Sequence, residues 1–281
     1  MPSQDGRKPR RRQLSLQELR EMARRVRRHI VTMTATAGSG HPGGSLSAVE
    51  LLTALYFRVM SHDPTNPGWP DRDRFILSKG HCVPVLYSVL AESGYFPVEE
   101  LATFRKAGSR LQGHCHTMTP GVEQCAGSLG QGLSFGIGVA LAGRLDNRDY
   151  TVYVMLGDGE CDEGQVWEAA MAASHFKLDN LVAIVDRNGI QNDRRTSEAM
   201  ELEPLPDKWR SFGWRVVEID GHDLGRAIKA LQETRRRGGE RTVIIAHTIK
   251  GKGVSFMENN AKFHGKAPTA EELQIALREL S

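Results

Sequence analysis

Hydrophobic residues recur at helical spacing at Leu16, Leu19, Met22, Ala23, Val26 and Ile30, directly behind Ser15 and Glu18. A serine followed at the third position by a glutamate satisfies the open amides of a helix N-terminus, so an amphipathic helix is predicted to start there. It runs into Gly38-Ser39-Gly40-His41-Pro42-Gly43-Gly44, read as a turn, after which residues 47–60 predict a second, largely buried helix. Chemistry is expected in the turn between them. Short apolar runs then recur at residues 75–78, 151–156, 181–186, 215–219 and 242–247, bounded by Gly, Asp or Asn, with helical patterns between most of them. This alternation predicts an α/β fold with a doubly wound, mainly parallel sheet. Val182-Ala183-Ile184-Val185 is apolar at consecutive positions, as a strand covered by helices on both faces requires. The stretch from Gly127 to Gly143 is rich in Gly, Ala and Ser, so a helix there lets a neighbouring backbone or a ligand come close. A last helix is expected over residues 271–280.

Composition narrows the class. A chain of 281 residues, 40% hydrophobic and 25% charged, is long enough for a substantial core and is read as one large domain, residues 14–281. The formal charge of +3 comes from a basic arm at residues 1–13, where Arg7, Lys8, Arg10, Arg11 and Arg12 stand against Asp5. The remaining body nets −1, so no global field for nucleic acid exists and the arm is read as a solvated, disordered tail. No apolar run approaches the ~20 residues of a membrane span, and the N-terminus lacks the apolar segment of a secretory signal. The expected location is cytoplasmic. Cys82, Cys115, Cys125 and Cys161 form no C-x-x-C pair and are read as reduced thiols.

In doubly wound sheets ligands bind beyond the carboxyl ends of the strands. At one such end, Val152 to Leu156 leads into Gly157-Asp158-Gly159 at the turn towards a helix beginning near Glu163. At another, Leu181 to Asp186 leads into Arg187-Asn188-Gly189-Ile190, thirty positions after Asp158. A strand, helix and strand in that interval place Asp158 and Asn188 at one edge of the sheet, where they share a cation. Mg²⁺ takes hard oxygen ligands in an octahedron, so a carboxylate, an amide oxygen, a backbone carbonyl and phosphate oxygens form a sensible set. Gly157 and Gly159 leave room for a diphosphate, and a nearby helix N-terminus offers N–H groups. A bare Gly-Asp-Gly is also an ordinary strand-to-helix turn, and the context decides between the two.

That context is Gly157-Asp158-Gly159-Glu160 with Glu163-Gly164-Gln165 and Trp167-Glu168 behind it, followed by residues 178–191, Leu-Asp-Asn-Leu-Val-Ala-Ile-Val-Asp-Arg-Asn-Gly-Ile-Gln. It resembles the thiamine-diphosphate signature of the transketolase family. The resemblance extends to Ser39-Gly40-His41-Pro42-Gly43, to Asp71-Arg72-Asp73-Arg74-Phe75-Ile76-Leu77-Ser78-Lys79-Gly80-His81, and to Pro120-Gly121-Val122-Glu123 leading into Gly127-Ser128-Leu129-Gly130-Gln131-Gly132. These blocks stand in the family's order and cover roughly residues 15 to 270.

The resemblance implies that Asp158, Asn188 and the carbonyl of Ile190 hold Mg²⁺, with Ca²⁺ or Mn²⁺ able to replace it. It places His81, Gly127, Ser128, Leu129, Gly157 and Gly159 against the cofactor, and His264 between diphosphate and substrate. His41 and His114 match histidines of the substrate channel, where an imidazole moves protons near neutral pH. Glu163 matches an acid that meets its symmetry mate across the subunit interface, with a salt bridge as the plainer reading. One departure is His114-Cys115-His116, where a proline commonly follows the histidine. A zinc site there is disfavoured, because side chains one residue apart point opposite ways in an extended chain. A second departure, Asn192-Asp193-Arg194-Arg195, has no reading from sequence.

The resemblance also implies something missing. In this family a glutamate of the pyrimidine-binding domain activates thiamine diphosphate, which supplies a carbanion and an electron sink. The chain is expected to end without room for that domain, and so to be half an enzyme. The expected partner is a C-terminal transketolase subunit carrying the pyrimidine-binding domain and the activating glutamate, in an α₂β₂ assembly. The expected reaction is transfer of a two-carbon ketol unit between sugar phosphates. Rival readings are the same half-site acting on a sulfonated or branched sugar phosphate, an enzyme like 1-deoxyxylulose-5-phosphate synthase, and a non-catalytic binding protein.

Overall fold

The computed structural model describes residues 13–235 and 240–281, so the basic arm lies outside the described residues but for its last position. Helix α1 (Leu16–Ala37) opens with the expected capping box, Ser15 accepting from the Glu18 amide and Glu18 from the Ser15 amide, and ends at Gly38 in the left-handed conformation. The second helix begins five residues earlier than its periodicity suggested, as α2 (Pro42–Ser47), and continues as α3 (Val49–Ala54) and one π-helical turn at Leu55–Val59. Proline at the first helical position has no N–H to leave unpaired, so the Gly-rich turn ends at His41. Gly43 and Gly44 are helical and crowded. A Cβ on Gly43 would lie 2.9 Å from the Phe263 carbonyl oxygen, and one on Gly44 2.6 Å from Cys82 Sγ.

All five predicted strands are present: β1 (Arg74–Leu77), β2 (Val152–Gly157), β3 (Leu181–Arg187), and, after an intervening hairpin, Arg215–Asp220 and Thr242–His247. Between β1 and β2 run α4 (Val83–Ser93) and α5 (Gln131–Leu145), and α6 (Gly164–His175) joins β2 to β3. The unread stretch after Ile190 is a short antiparallel hairpin, β4 (Ile190–Gln191) and β5 (Arg194–Arg195), turning at Asn192 with φ +51°. Helices α7 (Thr196–Ala199) and α8 (Leu205–Ser211) lead to β6 (Arg215–Asp220), and α9 (Leu224–Glu233) to β7 (Thr242–His247). Helix α10 (Ala270–Glu279) closes the chain and packs on α1.

The main sheet is parallel throughout, in the order β1-β2-β3-β7-β6. Alternate side chains go to opposite faces. Ile76, Val154, Ala183, Val185 and Ile245 join one core with α5, α6 and α8, while Phe75, Met155, Ile184 and Ile244 join another with α1, α3, α4 and α9. Helices therefore cover both faces, and the consecutive apolar runs are explained. The small residues of α5 serve the sheet: a Cβ on Gly136 would meet Val154 Cγ2 at 2.6 Å, whereas one on Gly138 meets nothing within 4 Å.

This contrast is testable by urea unfolding. Gly136→Ala is expected to destabilise the chain by about 1–3 kcal/mol through overpacking, and Gly138→Ala to stabilise it by up to about 1 kcal/mol through helix propensity. Equal effects would contradict the packing described.

Candidate functional site

The parallel register sets Gly157 of β2 beside Asp186 of β3, so the residues that follow both strands emerge together. Asp158 is buried, with Oδ2 accepting from the Gly189 amide at 2.6 Å and Oδ1 from the Gly159 amide at 2.8 Å. Asn188 Oδ1 accepts from the Ile190 amide at 3.2 Å, and its Nδ2 donates to Asp186 Oδ2 at 3.3 Å. Asp158, Asn188 and Ile190 line one cavity of about 140 Å³ together with Gly44, Lys79, His81, Leu129, Gly157, Gly159, Glu160, Lys250 and His264. The expected juxtaposition of Asp158 and Asn188 is thus present.

Two details differ from expectation. The helix after Asp158 does not reach the cavity, because a 3₁₀ turn at Gly159–Asp162 intervenes and α6 starts only at Gly164. The N–H groups near Asp158 come from Gly159 and Gly189 instead. The space beside Gly159 is taken by Gln191, whose Cγ would lie 2.7 Å from an added Cβ, so this glycine admits the β4 side chain. Gly127 and Ser128 are exposed on the loop before α5, with Leu129 the member of that trio lining the cavity. Glu163 is exposed at the N-terminus of α6, outside the cavity, with its Cβ pressed towards Gly130.

The four singled-out histidines converge. Ring centroids of His41 and His81 are 5.2 Å apart, His81 and His264 5.2 Å, His41 and His264 5.4 Å, and His41 and His114 6.2 Å. His116 turns away to accept from the Met118 amide, and Cys115 enters the core, so the three residues diverge. Among the described residues no group of three or more His, Cys, Asp or Glu side chains is arranged to hold a metal. An Asp158–Asn188–carbonyl set falls outside that count, since two of its three donors are an amide and a backbone oxygen.

The charged floor of the cavity was not singled out from sequence. Lys79 pairs with Asp186 in full burial and donates to the Gly44 carbonyl at 2.9 Å. Asp186 also accepts from Ser47 at 2.6 Å and from Thr248. Burial works to raise its pKa, but Lys79 and these donors hold it below the usual carboxylate range. Glu160 accepts from Ser78 and from the amides of Gly130 and Gly157, tying β1, α5 and β2 together. Lys250, three residues past the end of β7, donates to the Ile190 carbonyl at 2.9 Å and to His264 Nδ1 at 2.8 Å. Lys79 stands inside the Ser78-Lys79-Gly80-His81 block, and inspection of the end of β7 by the strand-end rule leads to Lys250.

Two charges in this cavity lack an ion-pair partner among the described residues. The Lys250 ammonium is 2% exposed and has only a carbonyl and an imidazole as partners, and burial lowers its pKa. The Asp158 carboxylate has only amides; burial, then the like charge of Asp186, pushes its pKa up to about 6. A buried cation and a buried anion left apart call for a bound pair of opposite ions. A divalent cation at Asp158 and an anionic group at Lys250 satisfy both. The oxygen donors of Asp158, Asn188 and Ile190 suit a hard cation, so the residues present fit magnesium and a diphosphate.

Comparison with known proteins agrees. Residues 19–280 match the family described as transketolase, thiamine diphosphate binding domain. The chain belongs to the transketolase family and corresponds to its thiamine diphosphate-binding domain. It is 47% identical over 264 residues to a 6-deoxy-6-sulfo-D-fructose transketolase subunit of Clostridium sp. (strain MSTE9), covering 94% of this chain and 96% of that protein. It is 44% identical to one of the apulose-4-phosphate transketolase subunits of Phocaeicola vulgatus, covering 95% of each. The transketolase structure from Campylobacter jejuni superposes with a TM-score of 0.89 at 33% identity, covering 95% of this chain but 43% of that one. The chain therefore spans less than half of that transketolase and nearly all of the two subunits.

The histidine cluster makes stability pH-dependent. Burial, then neighbouring positive groups, lowers the pKa of His41 and His81 to about 4 and that of His264 to about 3, from an ordinary 6.5. Their contribution to folding is whole above pH 6.5 and drains away as pH falls towards 4. Asp158 acts oppositely, its contribution being lost as pH rises from 3.8 through about 6. Three groups outweigh one, so the urea midpoint is expected to drop between pH 7 and 5. His41→Gln combined with His264→Gln should flatten that slope; an equally steep slope in the variant would contradict the assignment.

Proposed function

We propose that this chain is the N-terminal subunit of a split transketolase. With a partner it transfers a two-carbon ketol unit from a ketose phosphate of the xylulose 5-phosphate type to an aldose phosphate, in the cytoplasm. The observation that carries this reading is the two buried charges, Asp158 and Lys250, that line one cavity at the carboxyl ends of a parallel sheet without a direct ion pair. Asp158, Asn188 and the Ile190 carbonyl would hold Mg²⁺, or Ca²⁺ or Mn²⁺ in its place. Lys250 and His81 would meet the diphosphate, with Gly127, Ser128, Leu129, Gly157 and Gly159 forming its surroundings. Bound thiamine diphosphate supplies a carbanion and an electron sink.

The chain's own work is to position and to move protons. His114 and His264 both pack against His41, and all three are neutral imidazoles at physiological pH; with its Nδ1 accepting from Lys250, His264 presents Nε2–H as a donor to a sugar oxygen. His41 Nδ1 is buried without a partner among the described residues, which leaves a hydrogen-bonding position open. Burial, and then the Lys250 charge at its Nδ1, disfavour the imidazolium and keep His264 uncharged.

The partner reading has support on the surface. Phe135 and Leu145 of α5 and Met171 of α6 are 40%, 82% and 58% exposed, and Phe176 beyond α6 is 47% exposed. Large apolar side chains left exposed on two helices that pack together are candidates for burial against a partner. We assign that face to the C-terminal subunit bearing the pyrimidine-binding domain and activating glutamate, within an α₂β₂ complex in which Glu163 meets its symmetry mate. The names of the two subunit relatives favour a second reading, in which the same half-site acts on a sulfonated or branched sugar phosphate.

Ketol transfer from xylulose 5-phosphate to ribose 5-phosphate, measured with thiamine diphosphate and Mg²⁺, separates these readings. Activity is expected with the chain mixed with its C-terminal partner and none with the chain alone. Activity of the chain alone would overturn the half-site reading; a mixture active only on sulfofructose or apulose 4-phosphate would establish the second one.

A further inference from the structure

A second cleft, of about 800 Å³, opens beside the cofactor cavity and shares His264 and Asn192 with it. One wall is the 3₁₀ turn Ala261–His264 with Gly265, Lys266 and Ala267 behind it; the other is Gly38 and Ser39, at the end of α1. A Cβ on Gly265 would lie 3.7 Å from His41 Nε2, so this turn sits against the histidine cluster.

The charges around that cleft are unequal. Lys262 and Lys266 line it, and Lys262 is exposed with no ion-pair partner among the described residues. Lys266 has one distant partner, Glu272, at 3.7 Å. Behind the opposite wall the Arg105 guanidinium donates to Ser39 Oγ and likewise has no carboxylate at ion-pair distance among the described residues. Arg105 is held at φ +60°, a region that side chains other than glycine occupy at some cost. Its charge is felt at both His41 and His114. Asp193 is the one acid among the lining residues, and it already faces Arg194 at 3.4 Å. Two lysines thus line the cleft and Arg105 stands behind its Ser39 wall, with Asp193 the one acid among the lining residues.

The geometry points to Arg105, Lys262 and Lys266 as a rim on this subunit that binds the anionic tail, phosphate or sulfonate, of the sugar whose carbonyl end lies among His41, His114 and His264. The assignment rests on the function proposed above and adds that this chain takes part in recognising the tail. Exposed cations attract an anion over a distance and add a few charge-assisted hydrogen bonds on contact. Their expected effect is therefore on substrate affinity more than on the rate of the bound complex.

The test uses the reconstituted complex and three donors: xylulose 5-phosphate, 6-deoxy-6-sulfofructose and the uncharged L-erythrulose. In the Arg105→Ala, Lys262→Ala, Lys266→Ala variant, KM for an anionic donor is expected to rise about tenfold, and KM for erythrulose by less than twofold. Restoring positive charge with Lys262→Arg and Lys266→Arg should recover most of the affinity. In the unmodified complex, amine labelling of Lys262 and Lys266, read by peptide mass, should be suppressed by an anionic donor and not by erythrulose. A response to the phosphate alone or to the sulfonate alone names the tail. Unchanged KM for both anions, or an equal rise with erythrulose, would overturn the rim while leaving the enzyme reading intact. A complex that transfers ketol from none of the three donors would remove the function and the rim together.

Discussion

Two opposite charges, Asp158 and Lys250, are buried at one edge of the sheet without forming a direct ion pair. Asp158 is answered only by amides, and Lys250 only by a carbonyl and an imidazole. Each feels the other's charge, yet neither is neutralised by direct contact, and an incompletely paired ion in the interior costs several kcal/mol that a bound cation and anion would offset. The neighbouring Lys79–Asp186 pair shows the contrast, since it is neutralised internally and forms a rigid floor. Asp186 also anchors the Asn188 amide, which leaves the amide oxygen on the side away from that carboxylate.

The fold supplies this arrangement through register. Five parallel strands end at the same edge, and the pairing of Gly157 with Asp186 brings two sequence segments thirty residues apart into one cavity. Glu160 then locks the ends of β1 and β2 and the start of α5 with three hydrogen bonds. The histidines arrive from separate elements: His41 caps α2, His81 lies in a 3₁₀ turn after β1, His114 on a loop and His264 on a 3₁₀ turn near the C-terminus.

Much of this was legible beforehand, for identifiable reasons. Strands buried on both faces are short uninterrupted apolar runs, which located β2, β3 and β7, while β6, at the exposed edge, still showed Val216, Val217 and Ile219; the Ser15–Glu18 box marked the start of α1. Asp158 and Asn188 stood out because polar residues directly after such runs are where ligands bind. The start of α2 was misjudged because glycines usually break helices, whereas Gly43 and Gly44 are helical and make room for Phe263 and Cys82. The hairpin at Ile190–Arg195 is too short to show a strand period. Lys79 and Lys250 carry no local sign of burial; only the tertiary fold reveals that one is paired and the other is not. Gly159 lines the cavity as its sequence context suggested, but Gln191 packs against it there, a contact that needs coordinates.

The central claim is that the Asp158–Lys250 cavity is a site for a metal-bound diphosphate, and calorimetric titration tests it most directly. Thiamine diphosphate is titrated into the reconstituted complex with and without Mg²⁺, using the wild-type chain and Asp158→Asn. Mg²⁺-dependent binding to wild type is predicted, with a loss on the order of 100-fold in affinity for the variant. Binding that is independent of Mg²⁺, or equal in the two proteins, would contradict it.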